Sequence, residues 1–125
     1  MIRVGLPGAT LLRASALARE VPIASHVLDY AIRLVLATHP DRPGAPKVTT
    51  SYVRYGASPR GAQALVLAGR IRALLEGRLN VAYEDIRWAS HPALRHRIIL
   101  NLQADVEGIT TDRVIDELLE RVPEE

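Results

Sequence analysis

The chain has 125 residues, enough for one domain with a core of its own, and 48% of them are hydrophobic. With no Phe, one Trp and four Tyr, that core must be an aliphatic packing, and zero cysteines exclude disulfides, thiol catalysis and Cys-based metal sites. Net charge is +2 but unevenly placed: residues 1–104 carry 14 Lys/Arg against 6 Asp/Glu, residues 105–125 carry 2 against 8. A split of that kind suggests an internal cover or an interface between like subunits, against the plainer reading that both parts are solvated helix faces. No apolar run approaches the ~18 residues that span a bilayer. Pro7 and Gly8 interrupt any signal-peptide core, and a cytoplasmic location is expected.

In chain order, Ala9–Glu20 is weakly helical. Ser25 is expected to cap a helix through Ala37 with Val27, Leu28, Ala31, Ile32 and Val35 on one face. Asp29 and Arg33 form an (i, i+4) pair on the other face. Residues 39–47 hold three prolines and a glycine and predict a loop, with a β-branched extended segment after it over Val48–Tyr55.

The most informative stretch is Tyr55-Gly-Ala-Ser-Pro-Arg-Gly61. Ser58 is a good N-cap, and Pro59 suits the first helical position, which needs no backbone donor. The helix predicted from there stops at Gly77, a left-handed C-cap. Ala64, Leu67, Ala68, Ile71, Leu74 and Leu75 have the spacing of its buried face. Arg60 begins that stripe, so its guanidinium should emerge where core meets surface, beside a helix N-terminus. Free amides, a positive dipole end and a rigid fork of donors together suit a phosphate.

Leu79-Asn-Val81 reads as extended. A helix starts at Glu84, whose two first-turn acids complement its dipole, breaks or kinks at Pro92 and resumes over Ala93–Leu100. Gly108 marks the next boundary. Thr111 then caps a last helix with Val114, Ile115, Leu118, Leu119 and Val122 as its stripe, ended by Pro123. The fold expected is all-α, a small orthogonal array of about five helices with at most short extended strands.

His91 and His96 do not share a helical face across Pro92, and no carboxylate completes a ligand set, so no metal site is expected. Arg97 is read as tying a helix to a neighbouring carbonyl or carboxylate, and His26 and His39 as solvated. No serine sits in a Gly-x-Ser-x-Gly elbow. Arg70, Arg72, Arg78, Arg87 and Arg95 make the middle of the chain basic, as a nucleic-acid module would be. Stacking platforms are scarce, however, with Tyr83 and Trp88 read as partial core.

The Gly56-Ala-Ser-Pro-Arg60 motif resembles the sensor 2 segment of MoxR-family AAA+ ATPases. Val27–Val35, with Thr38 and Pro40, is similar to the family's helix before that motif. Gly77-Arg-Leu-Asn-Val81 with Glu84-Asp-Ile86, Leu94-Arg-His-Arg-Ile-Ile-Leu100, and the segment from Val114 to Pro123 are similar to the family's segments after the sensor helix. The resemblance covers Val21 to Pro123 and implies the C-terminal helical lid of such an ATPase. Residues 1–8 resemble the end of the ATPase core, 9–123 the lid, and 124–125 a tail. It implies that Arg60, on a turn shaped by Gly56, Ser58 and Pro59, reaches ATP, and that the complete protein holds that ATP together with Mg2+. It also implies a ring oligomer, and partners with von Willebrand factor A domains. No phosphate-cradling glycine loop with Lys-Ser/Thr and no paired acids after an apolar strand occur here. The chain alone is therefore expected to bind no cofactor and to be catalytically silent. The competing reading is a stand-alone basic helical module for nucleic acid or an acidic protein.

Overall fold

The computed structural model describes residues 16–125. The expectations for residues 1–15 lie outside them. Residues 16–18 are helical and lead to α1 (Ser25–Leu36), α2 (Lys47–Tyr52), β1 (Val53–Tyr55) and α3 (Pro59–Leu75). Then come α4 (Tyr83–Leu94), β2 (Ile99–Leu100), α5 (Leu102–Glu107) and α6 (Thr111–Arg121). The fold is mostly helical, with one antiparallel two-stranded ribbon pairing Val53 with Leu100 and Tyr55 with Ile99. None of the described helices is long and apolar enough to cross a membrane.

Helix α1 begins one residue earlier than a Ser25 cap would require. Ala24 is the N-cap and Ser25 the first helical residue, without a side-chain cap. The core face is also rotated: Val27, Tyr30, Ala31, Leu34 and Val35 are buried, whereas Leu28 and Ile32 are 37% and 40% exposed. Tyr30 can be fully buried because its hydroxyl accepts a hydrogen bond from Arg87 Nη1 at 3.1 Å. Burial is the main reason its phenol titrates above the ordinary tyrosine value. The Asp29–Arg33 pair forms at 2.8 Å, and Arg33 also donates to the carbonyl oxygens of Pro123 and Glu124.

Residues 47–52 are helical, not extended. Tertiary contacts override their β propensity: Val48 and Thr49 are buried, and Thr49 Oγ1 donates to Ala37 O at 2.6 Å. That bond satisfies a carbonyl left free at the end of α1.

Helix α3 packs most extensively against α4, and its buried face is Gly61, Leu65, Val66, Gly69 and Ala73. The stripe expected from the sequence is displaced from it. Ala68 and Leu74 only flank the core, and Leu75 is 58% exposed. The small residues decide the matter, because they let α4 approach where a Cβ would intrude: one built on Gly69 would lie 3.0 Å from Ile86 Cδ1. Glu76 is the C-cap and Gly77, at φ +71°, ends the helix as expected. Gly77 N bonds Leu74 O at 3.1 Å and Arg78 N bonds Ala73 O at 2.8 Å, the paired bonds of a Schellman motif.

Pro92 neither breaks nor ends its helix. α4 runs unbroken to Leu94, because a proline in the last turn forfeits a single backbone bond, and Ser90 Oγ bonds back to Ile86 O at 2.8 Å. Ala93–Leu100 is therefore not a second helix; Ile99 and Leu100 form β2. Asn101 caps α5, accepting from Ala104 N at 3.0 Å. Thr110, not Thr111, caps α6, accepting from Arg113 N at 3.2 Å.

The acidic C-terminal part is held against the rest of the chain at three of its eight acids and through buried α6 side chains, its other acids lying on solvated faces. Arg95 makes a two-toothed bond to Asp112 at 2.7 and 3.1 Å, and His91 bonds Asp116 at 2.7 Å. Arg87 reaches Leu119 O at 2.9 Å, and Tyr52 donates to Glu107 at 2.7 Å. Under these polar contacts lie Val114, Ile115 and Leu118, the buried face of α6.

Candidate functional site

The turn before α3 is held from behind by the end of α1. Thr38 is fully buried; its Oγ1 donates to Val35 O at 2.6 Å and accepts from Ala57 N at 2.9 Å. His39 Nε2 donates to Ala57 O at 2.7 Å, so this histidine is a structural brace rather than a solvated one. Both backbone polar groups of the buried Ala57 are thereby satisfied by one dipeptide. Gly56 is required by the same closeness: a Cβ there would lie 2.6 Å from Thr38 O.

Ser58 occupies the N-cap position in extended conformation, but its side chain makes no capping hydrogen bond; its carbonyl accepts from Gly61 N at 2.7 Å. Pro59 is at the first helical position, as expected. The hydroxyl therefore bonds no described residue, at a helix start whose first turn contains no acid. Arg60 is exposed at that start and makes no ion pair with any described residue, while residues 1–15 contain no Asp or Glu. Arg97 lies across the same turn: its Cδ is 3.6 Å from a Cβ built on Gly61, and its Nε donates to Ala93 O at 3.1 Å. The tie from Arg97 to a carbonyl was legible in the sequence; its place beside Arg60 was not.

Arg60, Ala64 and Leu67 do share a surface, though not the buried one. They line a cavity of about 880 Å³ between α1 and α3, with Leu28 and Ile32 on its opposite wall. Arg60 thus adjoins an apolar wall, and that wall is an open groove.

At the far end of α3 a polar centre unforeseen in the sequence locks the next loop. Asp85 is fully buried and accepts from Arg72 Nη1 at 3.1 Å, Arg78 Nη1 at 2.8 Å and Ala82 N at 2.7 Å. Bonding to Asp85 raises the Arg78 pKa above its ordinary value. Arg72 also lies 5.5 Å from the Trp88 ring centroid; that tryptophan is 54% exposed and not partial core, whereas Tyr83 does pack against the core. Among the described residues, no group of His, Asp and Glu has metal-binding geometry.

The AAA lid domain family matches residues 46–118, more than half of the chain and the whole of α2 through most of α6. The chain belongs to that family. Chaperone MoxR1 of Mycobacterium tuberculosis is 34% identical over 113 residues, which is 90% of this chain and 30% of that protein. Protein MoxR of Paracoccus denitrificans is 49% identical over 49 residues, 39% of this chain and 14% of its own length. A crystal structure from Cytophaga hutchinsonii, of a protein provisionally assigned as an ATPase, superposes with a TM-score of 0.78 at 37% identity. That match covers 85% of this chain and 32% of the other. The lid is of the MoxR type, and it spans less than a third of the length of these relatives.

Proposed function

We propose that this lid couples nucleotide state in an AAA+ core to remodelling or activation of partner proteins, with Arg60 as its phosphate contact. The observation that carries the reading is the unpaired Arg60 on the acid-free first turn of α3, beside a turn clamped by Thr38 and His39. A guanidinium there meets no internal anion, and the dipole disfavours a cation by up to ~1 kcal/mol unless an anion arrives. The clamp fixes where α3 begins, so a change at the phosphate becomes a rotation of the whole lid rather than a local loop motion. The donor set fits a phosphate; the magnesium ligands and the phosphate cradle would come from the core.

The names of the relatives, chaperone and MoxR, support the remodelling role, and a ring of such subunits acting on von Willebrand factor A domain partners is part of the same proposal. The competing nucleic-acid reading loses ground. Of the five arginines in the basic middle of the chain, Arg72, Arg78, Arg87 and Arg95 are engaged internally. In a complete ATPase carrying this lid, Arg60→Ala should lower hydrolysis at saturating ATP about 10–150-fold, the worth of one charge-assisted contact, with the fold intact. Unchanged turnover would refute the assignment.

A further inference from the structure

The groove between α1 and α3 has two cationic ends. Arg60 and Arg97 stand at the end where α3 begins. Ten residues further along α3, about 15 Å by helix rise, Arg70 stands at the other end. Ile23, which lines the same groove, is bridged to Val81, and Val81 Cγ1 comes within 3.4 Å of a Cβ built on Gly69. Arg19 lines the groove as well.

Elsewhere among the described residues, Arg33 pairs with Asp29, Arg72 and Arg78 with Asp85, and Arg95 with Asp112, whereas Arg42, Arg54, Arg87, Arg113 and Arg121 form no ion pair with a described residue. The four in the groove form no ion pair with a described residue. Arg70 stands out among them, because its Nε is buried without a hydrogen-bond partner among the described residues. A guanidinium N–H held out of water and unbonded is costly, so that end of the groove favours an incoming acceptor. Residues 1–15 carry Arg3 and Arg13 and no acid, so they would add like charge and cannot supply a carboxylate. Between the charged ends, Leu28, Ile32 and Leu67 give an apolar floor.

We propose that this groove docks an acidic, apolar-faced segment of a partner protein, with Arg70 pairing one of its carboxylates. The floor takes the apolar face, and Arg70 selects an acid at its end of the segment. This assignment rests on Arg70 and stands whether or not Arg60 reads a phosphate.

The test uses the 125-residue chain and a fluorescein-labelled amphipathic peptide of about 16 residues, long enough at about 24 Å to span the groove. The peptide carries Leu on one face and Glu on the other; its comparison peptide has Gln in place of Glu. Anisotropy should show micromolar, salt-sensitive binding of the Glu peptide and at least about tenfold weaker binding of the Gln peptide. Arg70→Gln and Ile32→Glu should each weaken the Glu peptide about tenfold, while Arg54→Gln, which alters an arginine stacked on Tyr55 away from the groove, should leave it unchanged. Thermal melts of each variant separate lost binding from lost fold. Equal binding of the two peptides, indifference to Arg70→Gln in a folded variant, or no binding of either peptide overturns the proposal. So does Arg70-dependent binding of ATP alone with no peptide binding, which would make the occupant a small phosphate ligand.

Discussion

The hydroxyl of Thr38 stands 2.9 Å from the amide of Ala57, and through that one bond the end of α1 fixes the start of α3. Because Ala57 is fully buried, nothing else can satisfy its N–H. Thr38→Val keeps the shape and removes the acceptor, so it should destabilise the domain by about 1–3 kcal/mol in urea unfolding. Thr38→Ser, which restores the hydroxyl, should recover most of that loss. Equal stability of the Val and Ser variants would show that the clamp contributes nothing.

Gly56→Ala tests the other side of the same contact. The added methyl meets the Thr38 carbonyl, a backbone atom that cannot swing away, and the cost should be about 1–3 kcal/mol. In the complete ATPase the displaced turn should also lower hydrolysis more than the stability loss alone explains, because Arg60 lies only four residues further on. A stable variant with full turnover would separate the turn from the function assigned to it.

How far the sequence discloses this site depends on which residue carries each constraint. Helix starts and stops with a local signature, Pro59 after Ser58 and Gly77 after a helical run, were legible, since their causes lie within a few residues. The buried faces of α1 and α3 were not. A hydrophobicity pattern gives Leu28 and Ile32 more weight than Tyr30, and gives Gly61 and Gly69 none, yet Tyr30 has a partner in Arg87 and the glycines set the approach of α4. Those causes sit dozens of residues away or in a missing side chain. Thr38 and Asp85 were hidden for the same reason: each acts through a partner that only the fold brings near. Asp85 had one local clue, its position three residues after Ala82 at a helix start.

Asp85→Ala should be among the most damaging single changes. It removes the shared acceptor of Arg72 and Arg78 and uncaps α4 at Ala82. A fully buried pair broken in this way costs about 3–5 kcal/mol; here the arginines are 22% and 31% exposed, so about 2–4 kcal/mol is expected. Asp85→Asn retains an oxygen for Ala82 N and should cost less. Denaturant midpoints for the two variants check the order, and a neutral Asp85→Ala would remove the centre from any structural role.

Acid should loosen the C-terminal cover. Arg95 bonding holds the Asp112 pKa below the ordinary carboxylate value, and bonds from Gln103 and then Tyr52 do the same for Glu107. Both are depressed in the folded state, so their stabilisation is present above the unfolded values, about 3.9 for Asp and 4.3 for Glu, and is lost as pH falls through the lower folded ones. The melting temperature should therefore drop as pH is lowered below about 4. Asp112→Asn should lower stability near neutrality and flatten this acid limb, with little change at its acid end. An unaltered slope in that variant would place the acid sensitivity elsewhere.

The last prediction concerns the seam between α3 and α4. Gly69→Ala gains about 1 kcal/mol in helix propensity, which by itself predicts a more stable domain. The new methyl would, however, stand 3.0 Å from Ile86 Cδ1 and 3.4 Å from Val81 Cγ1. Ile86 is fully buried and cannot yield without disturbing its neighbours, and overpacking of that kind costs about 1–3 kcal/mol. The net effect should be a loss of up to about 2 kcal/mol. Ile86→Val removes the offending carbon and alone should cost about 0.5–1.5 kcal/mol. Combined, the two substitutions should cost less than their sum, because the methyl gained on α3 fills the space vacated on α4. A double-mutant cycle by urea unfolding measures that coupling directly. Simple additivity would mean that the glycine is not there to make room for Ile86.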